Sequence, residues 1–171
     1  MNTFRTFMAL NLPVSTIRKV DEMVKKELRP RAKEQGLKVG WVRSPNMHIT
    51  LKFLGNIPEE TCRVISDRLP TLTDARAPLK LHLKGLGAFP SAEKPKVIWL
   101  GLEQQDEALT RLATVVDGWF EDLGFEKEKR EFRAHLTLGR VKEGSAADLL
   151  AVPELAEVDL GPCTATDVVF Y

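Results

Sequence analysis

The sequence predicts an α+β fold built from two β-α-β-α-β halves related by a pseudo-twofold axis around a central groove. The 171 residues, 43% hydrophobic and 29% charged, have ordinary globular composition and enough apolar side chains for one core. Strand and helix periodicities alternate along the chain. The order of elements then repeats: Ala9 to His48 spans 39 residues and Trp99 to His135 spans 36, the mark of an internal duplication. A single domain over residues 1–171 is expected, its N-terminal lobe carrying residues 48–51 and its C-terminal lobe residues 135–138.

Each element has a local reason. Residues 3–12 (TFRTFMALNL) read as a strand, and 14–36 set Val14, Ile17, Val20, Val24 and Leu28 at helical spacing, with Gly36 as the stop. Residues 47–54 (MHITLKFL) alternate as a strand does. A helix is predicted over 58–69, opening on Pro58 and running through Cys62, Ile65 and Leu69, and residues 77–88 alternate again. In the second half, 96–102 (KVIWLGL) read as a strand and 104–123 place Leu109, Leu112, Val115, Val116 and Phe120 on one helical face. A strand over 134–141 (AHLTLGRV), a short helix over 145–151 and a strand around 165–170 complete the repeat.

Composition excludes several classes of function. Lys and Arg number 25 against 24 Asp and Glu, a net charge of +1, so no global basic field holds a long duplex and any nucleic-acid contact must be local. Cys62 and Cys163 make neither a CxxC pair nor a disulfide framework. No apolar run approaches the roughly 18–20 residues of a membrane helix. The opening MNTFRTFMALNLP lacks the hydrophobic region and cleavage site of a signal peptide. A soluble, cytoplasmic protein is expected, a monomer with no obligate protein partner.

Of the three histidines, two stand in matching tetrapeptides, His48-Ile49-Thr50-Leu51 and His135-Leu136-Thr137-Leu138. Because side chains alternate along a strand, each motif sends an imidazole and a hydroxyl to one face and two apolar side chains to the other. Two such strands facing across a twofold gather two imidazoles and two hydroxyls. Near neutrality one ring can be neutral and take a proton while the other is charged and gives one. The Thr50 and Thr137 hydroxyls can then hold the nonbridging oxygens of a phosphodiester. No metal or cofactor is needed for this chemistry. His82, flanked by Lys80 and Lys84 without a following Thr, reads as a solvated strand face.

These residues resemble the two HxTx motifs of the 2H phosphoesterase superfamily, and among its branches the RNA 2′,3′-cyclic phosphodiesterases, also called 2′-5′ RNA ligases. The resemblance takes in Arg5-x-Phe7-x-Ala9 with Pro13, Trp41 leading into NMHITLKFLG at 46–55, Gly87-x-Phe89-Pro90, VIWLGL at 97–102 and FRAHLTLGR at 132–140. Ala134 stands where the family usually has Pro. The resemblance implies the bilobal 2H phosphoesterase fold and a hydrolase of RNA processing that opens terminal 2′,3′-cyclic phosphates to 2′-phosphomonoesters. It also implies a minor ATP-independent 2′-5′ ligase activity, His48 as proton donor and His135 as proton acceptor. RNA with a cyclic phosphate end would be the partner.

Phe7, Arg133 and Arg140 are further candidates for binding the RNA, beside the basic run Lys127, Lys129 and Arg130. Strand parity points Arg140 away from His135 and puts Lys52 on the His48 face, as a solvated strand end. Trp41 and Trp99 read as packing residues. Two other readings stay open: a 2H enzyme for a small nucleotide, such as a cyclic phosphate of ADP-ribose or a 2′-5′ oligoadenylate, and a noncatalytic RNA-end-binding protein.

Overall fold

The computed structural model describes residues 2–72, 78–103, 107–165 and 167–171. Strand β1 (Thr3–Asn11) leads into α1 (Val14–Met23), which runs through a π-helical turn (Val24–Leu28) into α2 (Arg29–Glu34). Gly36, at φ +70°, ends this long helix, and the Leu37 N–H reaches back to the Ala32 carbonyl. A left-handed residue past the last turn lets such backward bonds close the orphaned carbonyls, and glycine adopts it without strain.

There follow β2 (Lys38–Trp41), β3 (Ile49–Pro58), α3 (Glu59–Arg68) and β4 (Leu79–Phe89). The second half holds β5 (Val97–Leu102), α4 (Glu107–Glu121), β6 (Leu136–Glu143), α5 (Ala147–Leu150), α6 (Pro153–Ala156), β7 (Asp159–Ala165) and β8 (Asp167–Phe170). Every predicted element is present where the structure describes the chain. The predicted strand start at 77, the helix start at 104 and residue 166 of the last predicted strand lie outside the described residues. Two strands were not foreseen, β2 and β7; β2 is only four residues long, and Pro162 and two non-alternating exposures blur the pattern of β7.

The eight strands among the described residues form one sheet in the order β7-β4-β5-β6-β3-β1-β8, with β2 also paired to β6. The halves exchange strands: β4 and β2 from the first half lie beside β5 and β6, and β8 from the second lies beside β1. Helices cross over as well, α4 packing on β3 and α1 on β7. Each half thus completes the other's sheet. One face of the central strands is core, where Met8, Leu10, Ile49, Ile98, Leu100, Leu136 and Leu138 are essentially fully buried. Each such side chain contributes about 1.5–3 kcal/mol from removal of its apolar surface from water. Among the described residues, no helix is long and apolar enough to cross a membrane.

Candidate active site

The halves meet where β3 and β6 pair antiparallel, at Ile49 and Leu136. These are the second residues of the two motifs, so the pseudo-twofold passes between them. In an antiparallel register, the residue before one partner lies across from the residue after the other. His48 is therefore set against Thr137, and Thr50 against His135. The two histidines are diagonal neighbours across the strands, a relation that separates the residues by roughly 7–8 Å and their Cβ atoms by somewhat less. Ile49 and Leu136 are completely buried, and the four polar side chains occupy the opposite face, all half-buried.

A bulge follows each motif at the same place. Between β1 and β3 the partners run Ala9↔Thr50 and then Met8↔Lys52, leaving Leu51 as the extra residue. Between β5 and β6 they run Trp99↔Thr137 and then Ile98↔Gly139, leaving Leu138 as the extra residue. A bulge inserts one unpaired residue and reverses the facing of the residues that follow it, up to the next bulge.

Two expectations from simple parity are corrected by these bulges. Lys52 turns off the His48 face, is buried, and forms an ion pair with Asp117 of α4. Its ammonium also donates to the Glu126 carbonyl at 2.8 Å, and Asp117 accepts from the Glu128 N–H at 3.1 Å. Lys52 therefore ties β3 to the segment that leads into His135. Arg140 turns the other way: it pairs with Val97, two residues from Trp99 on the same side of β5, and so shares the face of Thr137.

The surroundings of the histidines differ. The His135 Nδ1–H donates to the Arg133 carbonyl at 2.7 Å, since a carbonyl can only accept. In the neutral ring this leaves the lone pair on Nε2. Phe89 meets the imidazole edge-on, with centroids 5.0 Å apart, and Trp99 stands behind at 6.4 Å. A Cβ at Gly87 would overlap the Trp99 ring, so glycine there makes room for the indole.

His48 lies in a stack of aromatic rings, 4.8 Å from Phe7 and 5.3 Å from Tyr171, with Phe7 and Tyr171 themselves 5.0 Å apart. Its Nδ1 is buried with no hydrogen-bond partner. Burial pushes the His48 pKa below the ordinary 6.5, since losing water penalises the charged ring. Tyr171 is held by reciprocal backbone hydrogen bonds to Phe7 and by its hydroxyl on Asn11 at 2.8 Å. Sequence reasoning missed Tyr171 and Phe89 as neighbours of the histidines; nothing local marks either one, because both contacts span the chain.

The remaining candidates are not all gathered here. Phe7 is at the site. The Arg133 side chain is exposed, with its guanidinium 4.0 Å from Glu131, while its carbonyl orients His135. The basic run is largely paired: Arg130 binds Glu128 at 3.0 Å and Lys127 reaches Glu121 at 3.2 Å, and Arg130 draws the Glu128 carboxyl down to about 2. His82 sits apart on the β4–β7 side, between Asp159 at 2.6 Å and Glu103 at 2.9 Å. Among the described residues, no group of three or more His, Cys, Asp or Glu side chains gathers as metal ligands.

A duplicated α+β sheet with one histidine-threonine pair from each copy at its centre defines a two-histidine phosphoesterase. The family model described as LigT like Phosphoesterase matches residues 15–99 and again 100–169; the chain belongs to that family, and the two matches correspond to the two halves of the repeat. It is 39% identical over 143 residues to the RNA 2′,3′-cyclic phosphodiesterase of Archaeoglobus fulgidus, covering 81% of this chain and 74% of that protein. The protein of the same name from Methanocaldococcus jannaschii is 33% identical over 172 residues, covering 98% and 90%. Among solved structures, E. coli LigT complexed with 3′-AMP superposes with a TM-score of 0.73 at 25% identity, covering 99% of this chain and 88% of that one.

Proposed function

We propose that this protein hydrolyses terminal RNA 2′,3′-cyclic phosphates to 2′-phosphomonoesters by acid-base catalysis between His48 and His135. The observation that carries the reading is the Ile49–Leu136 register, which sets two imidazoles and two hydroxyls around a space on one face of the sheet. The names of the relatives in Archaeoglobus and Methanocaldococcus support the substrate.

In this mechanism His135 takes a proton from water through Nε2, the nitrogen left free by the bond from Nδ1 to Arg133. The water oxygen attacks phosphorus and the bond to the 3′ oxygen breaks. His48 gives its proton to that departing oxygen, leaving a 3′-hydroxyl and a 2′-phosphate. A buried imidazole of lowered pKa is the stronger acid once protonated, and the anionic phosphate beside it offsets the desolvation that opposes its charge. Thr50 and Thr137 hold the nonbridging oxygens, and Arg140, on the Thr137 face, adds positive charge as the phosphorane forms. A 5′-hydroxyl in place of water gives the minor 2′-5′ ligation, without ATP. The 171 residues act as one unit, because each half supplies strands to the other's sheet.

The test is to incubate an oligoribonucleotide ending in a 2′,3′-cyclic phosphate with the protein in excess EDTA and to identify the terminal isomer. The expected product is the 2′-phosphate. Conversion only after zinc or manganese is added back would overturn the metal-independent mechanism.

A further inference from the structure

The bulge at Leu51 has a second effect, on Phe53. By parity from Ile49, Phe53 would enter the core; the extra residue turns it onto the face of Thr50 instead, opposite Phe7. It is 52% exposed there, a large apolar ring left in water. Phe7 lies 5.7 Å from it and 4.8 Å from His48, so Phe53 is two ring-to-ring steps from the histidine. On its far side the Arg5 guanidinium stands over the ring, 5.8 Å from the centroid, within the usual reach of a cation-π contact.

Arg140 occupies the place related to Phe53 by the pseudo-twofold, paired with Val97 as Phe53 is with Phe7. At this pair of equivalent positions the N-terminal lobe thus presents an exposed ring with a cation over it, and the C-terminal lobe a guanidinium on the face of the second threonine. Single-stranded nucleic acid is held by this combination of ring faces for bases and positive charge for the backbone.

From this we infer that Phe53 and Arg5 form a subsite for the nucleotide on the 5′ side of the cyclic-phosphate end. The base of that nucleotide stacks on Phe53 and its phosphodiester faces Arg5, so the RNA body leaves the site across the N-terminal lobe. This rests on the reading of an RNA terminus as substrate, and it adds a preference for two or more nucleotides over one.

The test compares kcat/KM for 2′,3′-cyclic AMP with that for the dinucleotide ApA ending in a 2′,3′-cyclic phosphate, in wild type and in Phe53→Leu, Phe53→Trp and Arg5→Gln. Wild type is expected to favour the dinucleotide. With a stacked base worth about 1–3 kcal/mol, Phe53→Leu should lower the dinucleotide value roughly tenfold or more and change the mononucleotide value by less than about threefold. Phe53→Trp should retain the preference, and Arg5→Gln should reduce it and weaken its dependence on salt. Equal use of both substrates by wild type, or parallel losses on both in Phe53→Leu, would overturn the subsite and leave the catalytic reading standing. A wild-type protein that opens neither cyclic phosphate overturns the substrate reading itself.

Discussion

The two motifs are nearly the same tetrapeptide in nearly the same strand, yet their histidines are held in opposite ways. His135 is fixed by a hydrogen bond from Nδ1 to a carbonyl two residues before it, an interaction supplied by the backbone that leads into the motif. His48 has no such bond; its Nδ1 is buried without a partner and its ring is held by Phe7 and Tyr171. The first arrangement specifies a tautomer, and the second specifies a ring plane and a low dielectric. Duplication therefore delivers two equivalent imidazoles, and the surroundings differentiate them into one ring with a free Nε2 and one with a lowered pKa.

The comparison breaks most decisively at the histidines themselves. His48→Ala and His135→Ala should each lower kcat/KM by about 10²–10⁴-fold, the usual contribution of general acid-base catalysis. Hydrolysis of cyclic-phosphate RNA by either variant at the wild-type rate would end the two-histidine mechanism.

Next in size is the tie between the lobes. Lys52→Met leaves Asp117 without its cation in a mostly buried site, where losing one partner of an ion pair costs about 3 kcal/mol. Urea unfolding should register that loss. If the tie also positions the segment leading into His135, kcat should fall while KM for the cyclic phosphate changes little. A variant as stable as wild type would show that the Lys52–Asp117 pair does not hold the lobes together.

Smaller effects are expected at the hydroxyls. Thr50→Ala and Thr137→Ala each remove one bond to a charged oxygen, worth about 1.5–3 kcal/mol, or roughly 10- to 100-fold in kcat/KM. Each should be milder than the loss of a histidine. A threonine variant more damaged than the matching histidine variant would reverse the assigned division of labour.

The pH dependence sharpens the comparison at the smallest scale. With His135 required neutral and His48 required charged, kcat/KM is expected to be bell-shaped. One limb of that bell belongs to His48 and should lie on the acid side of the ordinary 6.5, because burial lowers that pKa. Phe7→Leu readmits water beside the ring and should move that limb up towards 6.5; a limb that stays in place would mean that the aromatic stack does not set the acidity. Stability follows the same sign. Below about 6.5 the unfolded chain binds the His48 proton more readily than the folded one, so this contribution is complete above that pH and is lost as pH falls through the lowered value. His48→Gln should flatten that slope in urea melts between pH 7 and 5.

Much of this was legible in the residues. The strand and helix order, the duplication and the pairing of imidazole with hydroxyl all follow from short-range periodicity, because a strand's two-residue repeat and a helix's 3.6-residue repeat are properties of the local backbone. The repeat of H-x-T at equivalent strands identified His48, Thr50, His135 and Thr137 together. Parity then failed at Lys52 and Arg140 for one reason: each lies beyond a bulge, and a bulge is defined by the partner strand rather than by the strand that carries it.

The sequence by itself determined which chemical groups this protein has and that they come in two equivalent sets, since composition and periodicity are local. Only the tertiary structure decided which face Lys52, Phe53 and Arg140 take, that β2, β4 and β8 would cross to the opposite half, and that Tyr171 would end against His48. These are contacts between residues tens to more than a hundred positions apart, fixed by strand register and core packing, and it is they that make the two histidines unequal.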